Sequence, residues 1–150
     1  MTIQIEQLTK RFEELAPLSQ VHRPSRGWIR AIREALGMTT RQLAERLGVK
    51  QPSLAELETS EAAGNITIKS LERAAEALGC RLVYALVPIK PLTATIEERA
   101  LQLARRKLAA IEQTMRLENQ EVRGKVAQKE AERRLVEELL RRPARLWDEP

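Results

Sequence analysis

The 150-residue sequence contains few aromatic residues, one histidine and one cysteine. Its hydrophobic core must therefore be aliphatic, and no disulfide bond can form within the chain. His22 has no cysteine or carboxylate neighbour at ligand spacing, so we expect no metal site, no cofactor and no catalytic histidine. No glycine-rich phosphate loop is present either. These absences argue against an enzyme.

The sequence also has no hydrophobic run of membrane length. The apolar run Leu82–Pro88 is far too short to cross a bilayer, and the first residues resemble no signal peptide. A single cysteine is compatible with a reducing compartment. Cys80, at the start of the apolar run, is expected to be a small buried hydrophobic residue. We expect a cytoplasmic protein that does not enter a membrane.

The net charge of +5 is unevenly distributed. Residues 21–50 carry two acidic residues, Glu34 and Glu45, and the whole excess of positive charge, because the rest of the chain sums to zero. A basic block beside a folded motif indicates a polyanionic partner, although a solvated helix face explains the same charges equally well. The basic residues of the block are Arg23, Arg26, Arg30, Arg33, Arg41, Arg46 and Lys50.

Apolar residues at three- and four-residue spacing predict a mainly helical, all-α protein. The exception is 80–88, a β-branched, apolar segment that predicts one short strand. Such a strand needs a partner, and antiparallel pairing in a homodimer would supply one. The predicted parts are an N-terminal helix and arm (1–27), a four- or five-helix domain (28–79), the dimerising strand (80–88), long C-terminal helices (93–142) and a tail (143–150).

Residues 39–58 have the pattern of two helices joined by a tight turn. Leu43 and Ala44 lie on the inner face of the first helix, and Leu54 and Leu57 on that of the second. Gly48 lies where the chain must reverse direction, and glycine accepts the positive φ that such a turn requires. This pattern predicts a helix-turn-helix.

Because of this pattern of apolar, small and glycine positions, the segment 28–79 resembles the XRE (Cro/repressor-like) helix-turn-helix family. The resemblance implies that the second helix enters the major groove of double-stranded operator DNA while the start of the first helix meets a phosphate. Gln51 can pair with adenine and Glu56 with cytosine, while Ser53 suits several base edges. The predicted DNA contacts are Thr40, Arg41, Lys50, Gln51, Ser53 and Glu56.

The sequences RGWIRAIR (26–33), LVYALVP (82–88) and RLWD (145–148) extend the similarity over nearly the whole chain. Together they resemble a bacterial family called "mobile mystery protein A", which is similar to antitoxins and accompanies a Fic-domain protein. Antitoxins of one class block Fic AMP-transferases with a helix carrying Ser/Thr-x-x-x-Glu-Gly/Asn. Residues that match this motif are Thr114, Glu118 and Asn119.

Two functions remain open at this point. One is an antitoxin that inhibits a Fic-domain toxin and represses its own operon. The other is a stand-alone XRE-family repressor whose C-terminal helices serve only dimerisation. An exposed face carrying Thr114 and Glu118 would favour the first.

Overall fold

A computed structural model describes residues 3–118 and 124–148, and this part of the chain is helical without any strand. The predicted all-α class is confirmed. The chain folds into α1 (Ile3–Leu15), α2 (Trp28–Ala35), α3 (Thr40–Leu47), α4 (Gln51–Ala63), α5 (Ile68–Ala77), α6 (Leu92–Leu117) and α7 (Lys125–Leu140), with 3-10 turns at Ala16–Gln20 and Pro143–Trp147.

The strand predicted at 80–88 is not formed in the single chain. Residues 81–88 have no regular secondary structure, and Cys80 is exposed rather than buried. Strands exist only through ladder hydrogen bonds, and no described residue pairs with this segment. An apolar composition therefore did not suffice to make a strand without a partner.

The chain divides into two compact units. Residues 15–87 form the first, which we call the four-helix unit because it contains α2–α5. The second contains the residues up to Glu14 and those from Pro88 onward, and we call it the hairpin unit after α6 and α7. No described helix is both long and apolar enough to cross a membrane.

The four-helix unit has a compact aliphatic core. Leu43, Leu54 and Ala74 are completely buried, and Ala44 at 2% exposure leaves α3 and α4 room to pack closely. The half-buried Leu47 and Val49 extend this core around the turn between α3 and α4. Of the inward positions predicted for the helix pair, Leu43, Ala44 and Leu54 are buried, whereas Leu57 is half-buried and lies outside this core.

Local signals set the ends of these helices. Thr39 caps α3 through a capping box in which its side chain and that of Gln42 each bond the other's backbone N–H. Gly48 ends the helix in the left-handed conformation at φ 68°. The sequence pattern predicts that the second helix of the pair ends near Ser60, but α4 continues to Ala63, because Gly64 is the residue that leaves it at φ 79°.

Two glutamates of α4 are buried, which the sequence analysis did not predict. Glu58 accepts a 2.6 Å hydrogen bond from Arg33 Nε and a second from Nη2 at 3.3 Å. The carboxylate of Glu61 accepts backbone N–H groups of Trp28 and Ile29 at 2.9 and 2.8 Å. Both glutamates therefore attach α2 to α4 through charge-assisted hydrogen bonds.

The hairpin unit packs around the early part of α6. Ala100, Leu103 and the completely buried Leu146 form its core. Leu146 belongs to the tail, and its carbonyl accepts a 2.8 Å hydrogen bond from Arg99 Nε. The guanidinium of Arg99 also lies 5.9 Å from the ring centroid of Trp147. The C-terminal tail is thus part of this unit's own core.

Within 93–142, Asn119 and Gly124 interrupt the helical pattern of the sequence, which predicts two helices, 94–118 and 121–142. The helix α6 begins two residues earlier, and α7 ends at Leu140 before the tail turn. The predicted start of α7 lies outside the described residues. Among the described residues of α7 none is buried, so this helix covers α6 with half-exposed side chains.

Candidate nucleic-acid interface

The turn between α3 and α4 fixes the relative position of the two helices. The N–H of Val49 bonds the carbonyl of Ala44 at 3.0 Å, and Gly48 supplies the left-handed residue that this closure requires. Lys50 is the N-cap of α4 and makes no side-chain capping bond. Its ammonium is exposed at the junction of the helices, where a phosphate or a base edge can be reached.

The predicted DNA contacts lie on the accessible surface of this helix pair. Thr40 is half-buried at the start of α3, and the remaining five are exposed: Arg41, Lys50, Gln51, Ser53 and Glu56. Their accessibility is what a groove-reading surface requires, since a buried side chain cannot reach a base edge.

Gln51 and Thr40 are joined by a hydrogen bond that the sequence analysis did not predict. Gln51 Nε2 donates to Thr40 Oγ1 over 2.8 Å. This bond uses one amide hydrogen and leaves the second hydrogen and Oε1 for another partner. One donor and one acceptor are what the N7 and N6 edge of adenine requires. Thr40 thus holds the Gln51 amide in a fixed orientation.

The start of α3 offers backbone donors to an anion. Its capping box uses the N–H of Gln42, which bonds Thr39 Oγ1 at 3.2 Å. The N–H groups of Thr40 and Arg41, in the first turn, are not part of this cap. Together with the positive end of the helix dipole, they suit a DNA phosphate.

Arg41 is paired with Glu45 one helical turn later, at 2.8 Å. Both side chains are 64% exposed, so the pair contributes little to stability and opens at small cost. A phosphate would compete with Glu45 for the guanidinium. The sequence contained the signal for this pair in the i, i+4 spacing of opposite charges.

A cavity of about 330 Å³ lies beside the second helix, among residues of α3, α4 and α5. Ser53 and Glu56 line it on the α4 side, and Ser70 and Arg73 line it on the α5 side. The sequence analysis did not single out the two α5 residues. Arg73 adds a cation to a part of the surface where Glu56 is the predicted base contact.

The basic block of residues 21–50 divides into structural and surface charges. Arg33 is buried against Glu58, whose hydrogen bond and charge raise the pKa of the Arg33 guanidinium. Arg23 donates to the backbone carbonyls of Glu61 and Ala62 at the end of α4. These two arginines stabilise the fold. Fewer positive charges of the block are therefore available to a polyanion than its number of basic residues indicates.

The second candidate site lies at the end of α6. Thr114 and Glu118 are exposed, and the Glu118 N–H bonds the Thr114 carbonyl at 3.1 Å. Glu118 is the C-cap of the helix, and the Thr114 hydroxyl bonds the Ala110 carbonyl at 3.0 Å. Asn119, the last residue of the motif, lies outside the described residues.

Comparison with known proteins gives one match. The helix-turn-helix family matches residues 29–84, a little over a third of the chain. No curated protein and no solved structure matches the chain. The match contains α3, α4, α5 and all of α2 except Trp28, and it supports the XRE resemblance. The matched family is a DNA-binding class typical of transcription regulators.

Proposed function

We propose that this protein is a transcriptional repressor that binds an inverted repeat in its operator as a homodimer. The observation that carries the proposal is the exposed Gln51 amide, held by Thr40 at the start of the second helix of the pair. With α4 in the major groove, Gln51 reads a base, while Arg41 and the first N–H groups of α3 hold a phosphate. Half-sites lie about 34 Å apart, or a multiple of this distance.

Binding-site selection followed by titration of single-base variants tests this placement. Gln51→Ala should cost about 1–3 kcal/mol on the preferred site and relax the preference at one base position. Arg41→Ala should weaken all sequences alike and reduce the salt dependence of binding. Arg134→Ala, an exposed arginine on α7, is the matched control and should change neither. If Gln51→Ala alters neither affinity nor preference, α4 is not the reading helix.

The finer part of the proposal concerns the hairpin unit, where we propose a toxin-neutralising site on α6. Its support is the exposed position of Thr114 and Glu118 one turn apart, together with the resemblance to a Fic-associated antitoxin family. Glu118 would form an ion pair with an arginine in the nucleotide site of a Fic-domain partner. The carboxylate then takes the place of the ATP γ-phosphate, and the partner cannot transfer AMP. The same protein would repress its own operon.

Nucleotide transfer by the purified complex with the Fic partner tests the role of Glu118. Glu118→Gly and Glu118→Gln each remove the charge at the end of the helix, so both should release the nucleotide-transfer activity of the partner. The complex should stay assembled in both variants. Glu97→Gln, an exposed glutamate near the other end of α6, is the charge-matched control and should remain inhibitory.

Two outcomes would contradict this part of the proposal. Low activity in all three variants, with the free partner active, would show that inhibition does not depend on Glu118. Absence of any complex would favour the stand-alone repressor, whose C-terminal helices serve only dimerisation. Operator binding should be the same in all variants, because the DNA contacts lie in the other unit.

A further inference from the structure

An apolar groove of about 610 Å³ lies in the four-helix unit, on residues that the DNA-reading surface does not use. Its walls come from α2, from α5 and from the segment that follows α5. Trp28, at the groove, is 44% exposed although it is the largest apolar side chain of α2. The principal apolar lining residues are Trp28, Ile32, Leu71, Leu78, Leu82 and Val83.

The residues that follow α5 form an uncovered apolar strip, residues 82–87. Val83, Tyr84 and Leu86 are 67, 70 and 89% exposed. The backbone of these residues forms no hydrogen bond with another backbone group in the parts 3–118 and 124–148 of the chain. Unpaired backbone groups in an apolar, β-branched sequence are a template for strand pairing.

The strip and the groove are continuous, because Leu82 and Val83 belong to both. Antiparallel pairing of the strip with the same strip of a second copy, centred on Ala85, would place the partner's residues 86 and 87 opposite residues 84 and 83. The end of the partner's strip would then lie beside the groove and bring the partner's Leu86 to its rim.

Surface area argues that both features are needed. At roughly 100 to 200 Å² each, the exposed side chains of the strip leave on the order of 450 Å² uncovered per copy. A stable interface buries about 800 Å² per partner. The strip alone is too small for a lasting dimer, so the walls of the groove must contribute to the interface.

We infer that the dimer forms when the strips of two copies pair antiparallel and each closes the groove of the other. The inference builds on the proposed function by naming the surface that joins two DNA-reading units. Pairing satisfies the backbone of both strips, and the groove removes their large side chains from water. The arrangement is isologous, so it closes at two copies.

Molecular mass measured by light scattering at micromolar concentration tests the inference with the full chain. Leu86→Glu should raise the dimer dissociation constant by at least a hundredfold, because two carboxylates would enter the apolar interface. Leu117→Glu is the matched control, since Leu117 is 81% exposed in the other unit. It should leave the mass unchanged. A monomeric parent protein, or a Leu86→Glu variant with unchanged dimerisation, would overturn the inference.

Two further measurements test the closure of the groove and the pairing of the strips independently. In a Trp147→Phe background Trp28 is the only tryptophan, and its emission should shift to longer wavelength when the dimer is diluted into monomers. In a Cys80→Ser background, Ala85→Cys should form a disulfide between copies under mild oxidation, whereas exposed Ala63→Cys should not. An unchanged Trp28 emission would show that the groove stays open, and equal cross-linking of both cysteines would exclude the proposed pairing.

The outcomes are distinguishable from those for the proposed function. Dimerisation is measured without DNA, so a stable dimer that fails to bind any operator would contradict the repressor and leave the interface intact. Conversely, if Leu86→Glu keeps the dimer and its inverted-repeat binding, the repressor stands and the interface lies elsewhere.

Discussion

The four-helix unit and the hairpin unit bury their residues in different ways. In the first, completely buried Leu43, Leu54 and Ala74 come from three successive helices, and charged groups are buried among them. In the second, the buried residues lie in the early part of α6 and in the tail. Its ion pairs, such as Arg133 with Glu130 and Glu137, lie on exposed side chains.

Apolar side chains are exposed where the described parts of α6 and α7 end next to residues 119–123. A gap of about 180 Å³ remains between α6 and α7 beside Leu108 and Met115. Leu117 and Val126 are 81 and 85% exposed. The two units thus differ in how completely their apolar side chains are covered.

The largest expected effect concerns the buried ion pair of the four-helix unit. Glu58→Leu leaves the Arg33 guanidinium buried without its carboxylate and should cost about 3–5 kcal/mol of unfolding free energy. The double variant Arg33→Met with Glu58→Leu should recover most of this loss. Urea unfolding followed by Trp28 fluorescence in a Trp147→Phe background measures both. Glu130→Leu on α7 is the exposed counterpart, and an equally large loss there would remove the contrast between the units.

A smaller effect is expected where a completely buried leucine is shortened. Leu54→Ala in the four-helix unit and Leu146→Ala in the hairpin unit should each cost about 2–5 kcal/mol, since each leaves a cavity. Trp28 and Trp147 report on the two units when the other tryptophan is replaced by phenylalanine. Leu117→Ala is the control and should be neutral. A neutral Leu146→Ala would mean that the tail does not belong to the core of its unit.

The smallest effect concerns acid. Hydrogen bonds from Arg30 and Arg133 lower the pKa of Glu34 and of Glu130 below the ordinary 4.5. A lowered pKa in the folded state stabilises the fold above the unfolded value, and this contribution is lost as pH falls through the folded pKa. Stability should therefore decrease slightly below about pH 4.5 in both units. NMR titration of the carboxyls checks the direction, and a midpoint above 4.5 for either glutamate would refute it.

The turn and the exposed positions of the helix pair followed from local patterns. Thr39, Gly48 and Gly64 act within a few residues of their own position, so their capping and turning roles are visible in the sequence. The buried role of Glu58 and Glu61 was missed, although both lie four and seven residues after Leu54 and hence on the same helical face. An inward carboxylate on a helix is a signal that a buried partner exists, but it does not say which one.

The sequence by itself determined the helices, their ends and the exposed residues of the helix pair, because periodicity, caps and glycine turns depend on near neighbours. Only the tertiary structure decided which charges serve the fold and which reach the surface. Arg33 and Glu58 are 25 residues apart, and Glu61 meets backbone groups more than 30 residues earlier. The tertiary structure also decided that the strip forms no strand, because a strand needs a partner and the described part of the chain supplies none. Helices close their hydrogen bonds locally, whereas ion pairs and strands depend on what the fold brings next to them.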